Sequence, residues 1–313
     1  MRQTGENSPW GTSAWVRVRG WGSWGVRVLR RVAGWGVLRG RAGSCGRFSL
    51  VRGDGLRVRV LCGSRWVCPV CSAKRWGRER ARLQGLLGGW SSGGGRVVRV
   101  VLTVPHRRGD SLESSLGVLE GAWGVLVSRR PWLRLLGGVG AVGSWRTLEV
   151  TDSRENGWHP HYSLLLFVPG WVTESQVRVL ERGVRERWVA GVRAAGRDVG
   201  DGDAAVHVSL LTRPEVGVAG YECKGPGDVV GALADRVAAG DGAAAARWRE
   251  LQAATRGRVA VRISPGLPER IQRVAARVAG AVVRAVAGVA RGVQEAARVV
   301  GRVVGRVRAG PAP

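Results

Sequence analysis

Apolar and polar positions change period several times along the chain, and each change marks an expected element. RVVRVVLTV (96–104) is β-branched and nearly unbroken until Pro105, the pattern of a largely buried strand. SWRTLEVTD (144–152) and HPHYSLLLFV (159–168) flank Asn156-Gly157, so 144–168 reads as a β-hairpin. AVHVSLL (205–211) predicts a fourth strand. Helical spacing appears over 112–136 and 173–195, where Thr173 with Gln176 three residues on makes a capping box. RERARLQGLLG (78–88) predicts a short helix ended by Gly88-Gly89, followed by a flexible linker at 91–95, and a further short helix is expected around Tyr221. The order strand, helix, hairpin, helix, strand, helix fits an α+β domain with an antiparallel sheet flanked by helices.

The two ends read differently. Residues 1–44 mix Trp, Gly, Val and Arg with no lasting period, which predicts a basic low-complexity segment without stable structure. In the tail, 269–313, Arg270, Arg277, Arg284, Arg291 and Arg298 recur every seven residues and would form one stripe on a helix. A solvated helix, a clamp on a DNA backbone, a dimerising coil and a membrane-surface helix all fit that stripe.

Charge narrows the partner. Fifty Lys and Arg against 23 Asp and Glu give a net charge of +27 over 313 residues. Such an excess attracts phosphate polymers, nucleic acid before an acidic membrane surface. Nearly all of the basic residues are Arg, and Gly, Ala, Val and Trp are abundant, the imprint of a GC-rich genome. Scarce residues therefore carry more information: two Tyr (Tyr162, Tyr221), four His (His106, His159, His161, His207) and five Cys. There is no secretory pattern and no run of about 18 uncharged apolar residues, so no membrane span is expected and a bacterial cytoplasmic location is.

Cys45, Cys62, Cys68 and Cys71 are spaced C-x16-C-x5-C-x2-C. A Cys-x-x-Cys knuckle stiffened by Pro69, with two further thiolates, suits a closed tetrahedral Zn2+ site of structural type; a redox pair is the other reading of the knuckle. His159 and His161 alternate on one strand and so project from one face, where two imidazoles can share a divalent ion. With the hairpin centred near residue 155, Glu149 falls opposite His161 as a third ligand, with His207 as a competitor. A bare surface strand is the plain alternative. Tyr221 and Lys224 would share a helix face: the phenol can attack a phosphodiester, the ammonium can neutralise charge. A core tyrosine beside a solvated lysine fits the same residues.

Taken in order, CGSRWVCPVCSAKR, LTVPHRRGDSL, LEVTDSRENGWHPHYSLLLFV, GYECK and WRELQAATRGR followed by ISPGL resemble the rolling-circle replication initiators of small bacterial plasmids, above all their actinobacterial branch, in the His-hydrophobic-His (HUH) class of endonucleases. The resemblance covers roughly residues 45–268. It implies an HUH-like nuclease domain over 96–268 behind a zinc-binding module and linker at 45–95. It further implies that His159 and His161, with Glu149, hold Mg2+ or Mn2+, and that Tyr221, helped by Lys224, nicks single-stranded or hairpin origin DNA through a phosphotyrosine intermediate. The freed 3′-OH would prime synthesis by a host DNA polymerase, with a host helicase opening the duplex. The zinc module and its basic residues Arg65, Lys74 and Arg75 would help locate the origin. Two departures stand out. Ser163 occupies the position of a third histidine in the pattern His-x-His-x-His; if the second and third histidines are the ligand pair, one ligand is lost and metal affinity and activity are weak. Gly225-Pro226-Gly227 closes the tyrosine helix early. Glu222 and Glu215 are candidates for activating the water that ends the cycle. A transposase or relaxase of the same class, or a non-catalytic zinc-bearing DNA-binding protein descended from an initiator, are the competing readings.

Overall fold

The computed structural model describes residues 15–17, 27–29, 36–153, 155–199, 205–211 and 213–308. Most of the N-terminal segment expected to lack structure lies outside these residues. Its described parts include two paired three-residue strands, β1 (Trp15–Arg17) and β2 (Arg27–Leu29). They also include a stretch after residue 35 in which Val37 and Leu38 are buried, leading into the one-turn α1 (Gly40–Gly43). There the Arg39 N–H donates to the Gln252 side chain at 2.9 Å.

The zinc-type cysteines bracket a short exposed ribbon, β3 (Ser49–Val51) with β4 (Arg57–Arg59). Next comes α2 (Pro69–Ser92), which starts in the knuckle: Cys68 is its N-cap and Pro69 its first residue, where a missing N–H costs nothing. The expected helix over 78–88 is thus only its middle, and the glycine pair does not end it. Trp76, Leu83, Leu87 and Trp90 fall on one buried stripe, and that burial outweighs the weak helix propensity of Gly77, Gly85, Gly88 and Gly89. Gly89 also has a packing role, since a Cβ there would lie 3.1 Å from the Ile271 side chain. Ser91 and Ser92 finish the helix, and Gly93–Gly95 fold back on Trp90 through hydrogen bonds to its carbonyl.

The sheet has five antiparallel strands in the order β8-β5-β7-β6-β9: β5 (Arg96–Thr103), β6 (Gly143–Ser153), β7 (Gly157–Val168), β8 (Val206–Leu211) and β9 (Val261–Ile263). Its helices are α3 (Leu112–Leu126), α4 (Arg129–Gly138), α5 (Glu174–Ala194), α6 (Val218–Glu222), α7 (Gly227–Ala238), α8 (Gly242–Ala254) and α9 (Leu267–Arg308). The Thr173–Gln176 capping box opens α5 as its sequence predicts. One sheet face, carrying Leu102, Tyr162 and Leu164, is covered by α3 and α5: Trp123 meets Tyr162 edge-on at 5.3 Å and the Trp188 indole donates to the Thr103 carbonyl. Across the other face runs α2, with Trp90 against Phe167 at 6.2 Å. Trp66, Trp76, Trp90, Trp145, Trp158, Trp188 and Trp248 are all buried, and each indole N–H has an oxygen acceptor, so these large side chains fill the core without stranding a polar atom. The basic tail is helical, as the seven-residue period predicts, and no described helix is long and apolar enough to cross a membrane.

Candidate nuclease and metal sites

The hairpin register is the local key to the site. Ser153 pairs with Gly157, Thr151 with His159 and Glu149 with His161, so alternation puts His159, His161, Glu149 and Ser163 on one face. Gly157 turns the hairpin at φ +75°, and a Cβ on it would stand 3.0 Å from the Arg108 carbonyl oxygen. A glycine here lets the loop after β5 lie against the hairpin. That loop delivers His106, whose ring nitrogens both lie 3.4 Å from His159 Nδ1. The rings of His159 and His161 are 5.2 Å apart. His161 Nε2 lies 3.5 Å from a Glu149 oxygen. Three imidazoles and a carboxylate are therefore linked pairwise. His207 is exposed on the edge strand, opposite Val101, and joins none of these contacts.

Burial explains the electrostatics. His159 is pulled from its ordinary 6.5 down to about 4, by desolvation first and then by His161 and His106. An imidazole that stays neutral in the fold, where the unfolded chain would take a proton, adds stability as pH rises through about 4 to 6.5 and loses it on acidification. The metal-free chain is therefore expected to show a lower urea midpoint at pH 4.5 than at pH 7, with a shallower pH slope in His159→Gln. Equal slopes for the two proteins would contradict this.

Both Glu149 oxygens and His161 Nδ1 are buried without a hydrogen-bond partner. Orphaned acceptors of this kind suit a cation. One cation is at hand, for Lys224 Nζ lies 3.5 Å from the same Glu149 oxygen that faces His161. Lys224 also sits 4.6 Å from the Tyr221 ring centre, and Arg99 approaches the ring at 4.7 Å. Tyr221 and the imidazoles are thus joined through Lys224 and Glu149. The tyrosine is half-exposed. Its helix is only five residues long and stops at Cys223, with Gly225 at φ +63°, in keeping with the early closure expected from Gly-Pro-Gly. Lys224 lies past the helix end, and the turn, not a shared helix face, brings it under the ring.

The two candidate carboxylates for the end of the cycle are both engaged. Glu222 is fully buried and accepts from Arg99 Nε at 2.7 Å; burial raises its carboxyl above the usual range against the opposing pull of Ser163 and Arg99. Glu215 accepts from the Ser91 hydroxyl at 2.8 Å. Ser163 is buried and pairs across the sheet with Thr147 and Val101. Sequence reasoning missed two members of this site, His106 and Arg99. The only sequence signal for His106 was the scarcity of histidine, for its place beside His159 depends on the pairing of β5 with β7.

The four cysteines converge separately. Their sulfurs all lie within 4.8 Å of one another, Cys45 and Cys71 being 3.6 Å apart, so the cluster can bind a metal such as zinc. Backbone N–H groups of Cys62, Gly63 and Ser64 point at Cys45, Cys71 and Cys62 sulfur at 3.3–3.4 Å, an arrangement that favours thiolate charge. Hydrogen bonds from the Cys62 and Cys68 thiols hold the Cys71 thiol well below its ordinary range, and the same crowding raises Cys68. Cys223 is buried and apart. Of the basic residues assigned to DNA contact, Lys74 is exposed, Arg65 is ion-paired to Glu79 at 2.7 Å, and the Arg75 guanidinium lies over Gly63.

Residues 55–189, which hold the cysteine knuckle, β5 and the β6–β7 hairpin but not β8 or β9, match the family model Rep_1, described as replication protein. That stretch holds Cys62, Cys68, Cys71, His106, Glu149, His159 and His161, and stops short of Tyr221. The chain is 26% identical over 280 residues to "Protein rep" of Streptomyces lividans, covering 64% of this chain and 61% of that protein. It is 27% identical over 135 residues to "Neomycin resistance protein" of Streptomyces cyanogenus, covering 36% and 31%. No solved structure matches the chain. These findings support a plasmid Rep protein of the actinobacterial type, of which the match spans less than two thirds of either relative.

Proposed function

We propose that the chain is the replication initiator of a plasmid-like element and that it nicks one strand of origin DNA through Tyr221. The observation that carries this is the contact chain from the half-exposed Tyr221 ring through Lys224 and Glu149 to His161, with His159 and His106 beside it. His106, His159 and His161 would hold a divalent ion, with the buried, unbonded Glu149 carboxylate as further ligand. His106 adds a third imidazole beside His159, at the end of the pair away from Ser163. An imidazole-rich set favours Mn2+ over Mg2+. When bound, the ion supplies positive charge that polarises the scissile phosphate.

The chain's own residues do the rest. Lys224 and Arg99 flank the phenol and stabilise negative charge as it develops on the oxygen. Glu222 keeps Arg99 in place from beneath. The Tyr221 oxygen forms a bond to phosphorus and the bond to the 3′ oxygen breaks; the phenol proton passes to solvent and the departing 3′ oxygen takes one up. The 5′ phosphate remains on Tyr221, and the free 3′-OH is a primer for a host polymerase behind a host helicase. The +27 charge supplies the sequence-independent attraction to the strand, and the cysteine module with Lys74, Arg65 and Arg75 adds contacts that help find the origin. Incubation of the full chain with single-stranded origin DNA and Mn2+, followed by denaturing electrophoresis and peptide mapping, is expected to give a covalent adduct on Tyr221. Tight binding with no adduct would favour the non-catalytic DNA-binding reading, and an adduct on transposon ends or a transfer origin in its place would favour the transposase or relaxase.

A further inference from the structure

A cavity of about 560 Å3 opens at the tip of the β6–β7 hairpin, between Gly157 and Ser153 on one side and helices α7 and α8 on the other. Its volume is that of a small-ligand pocket. Its walls combine two chemistries. Ala232 and Leu233 line it with apolar side chains, and Arg108, Arg236, Arg247 and Asp152 line it with charged ones.

Most of that polar wall is fixed in advance. Arg247 grips Asp152 with two hydrogen bonds, one from Nε at 3.1 Å, and its guanidinium carbon lies 4.2 Å from the centre of the Trp158 ring. Trp158 in turn donates to Glu250 at 2.8 Å. Arg236 is held by Asp241 at 2.7 Å. Arg108 differs: it is exposed at the rim and makes no ion pair among the described residues. A site with an apolar slot, a pre-set polar edge and one uncommitted cation at its mouth suits a flat heterocycle carrying a phosphate.

Its position sets which one. Gly157 lies two residues before His159 on the same strand face, about 7 Å away. Arg108 lies two residues after His106 on the loop that the hairpin glycine admits. The cavity and the imidazoles are therefore built on the same two segments and lie about one nucleotide apart. We propose that this cavity takes the base of a nucleotide flanking the scissile phosphate, its own phosphate meeting Arg108, so that base choice here contributes to selecting the cut. The placement beside the cut rests on the nicking reading; the ligand class rests on the cavity.

The test uses the full chain carrying Tyr221→Phe, free of divalent ion, so that neither nicking nor metal enters the readout. Calorimetric titration with the four deoxynucleoside 5′-monophosphates, the deoxynucleosides and inorganic phosphate is expected to show nucleotide binding at least about tenfold tighter than phosphate. Arg108→Ala should reduce nucleotides to the level of nucleosides, and Ala232→Trp, which fills the slot, should abolish binding of both. Phosphate binding as tightly as nucleotide, or nucleotide binding that survives Ala232→Trp, overturns the proposal. In a second measurement, an abasic site is stepped along single-stranded origin DNA. One position should weaken binding about tenfold, and that position's effect should vanish in Ala232→Trp; a flat profile in the unfilled protein counts against the cavity. If nicking fails in the adduct assay while nucleotide binding behaves as stated, the cavity stands and the nicking reading falls.

Discussion

Tyr221→Phe is expected to remove the covalent protein–DNA adduct, lowering its rate of formation by a factor on the order of 10^3 or more, while leaving affinity for single-stranded origin DNA within about twofold. The argument is chemical. Phenylalanine keeps the ring between Arg99 and Lys224, at 4.7 and 4.6 Å, so packing and the local cation pair survive. Only the nucleophilic oxygen is lost, and the chain's other tyrosine cannot stand in for it. Tyr162 is buried on the opposite sheet face, with the Arg146 guanidinium 4.2 Å from its ring and Trp123 beside it. Comparison of adduct yield and equilibrium binding on the same oligonucleotide separates the two effects. An adduct of undiminished yield in Tyr221→Phe would remove the tyrosine from the chemistry. A parallel loss of binding would make the residue a DNA contact and no nucleophile.

What was legible of this site follows how far apart in sequence its parts lie. Glu149 opposite His161 could be worked out from the hairpin alone, because twelve residues, one turn signal and strict alternation leave a single register. His106 could not, because it reaches His159 through the pairing of β5 with β7, across more than fifty residues whose helices give no hint of which strands become neighbours. Arg99 was hidden by composition: one arginine in a strand of an arginine-rich chain carries no signal until Glu222 is seen beneath it at 2.7 Å. The helix through the cysteine knuckle illustrates the opposite error. Its glycines argued locally for a stop, whereas the spacing of Trp76, Leu83, Leu87 and Trp90 argued for continuation, and tertiary burial decided for the second. Helices α7 and α8, which wall the cavity, follow a Gly-Pro-Gly stop and are rich in Ala and Gly, a composition that speaks for neither period strongly.

Removal of metal from the cysteine cluster should have the largest effect on structure, and a local one. One Zn2+ per chain is expected by elemental analysis, falling to near zero in Cys71→Ser. In small zinc domains the metal contributes on the order of 10 kcal/mol of folding free energy, so the segment it ties has little to hold it without the ion. Here that segment is the ribbon of β3 and β4, all of whose residues are exposed, with the turn that joins it to Cys62. It has no buried apolar face of its own: Phe48, Leu50, Leu56 and Val58 are 63, 65, 55 and 42% exposed. The rest of α2 is different, for Leu83 and Leu87 are completely buried and Trp90 is hydrogen-bonded to both Arg96 and Val168. Trypsin should therefore cut the zinc-free chain rapidly at Arg47, Arg52, Arg57 and Arg59 while Arg82, in the packed half of α2, and Arg99, in the sheet, stay protected. Full protection of the ribbon after zinc loss would mean that the thiols alone hold it. Uniform digestion would mean that the module and the sheet fold as one unit, with the metal reaching through Trp76 and Trp248 into the core that supports the imidazoles.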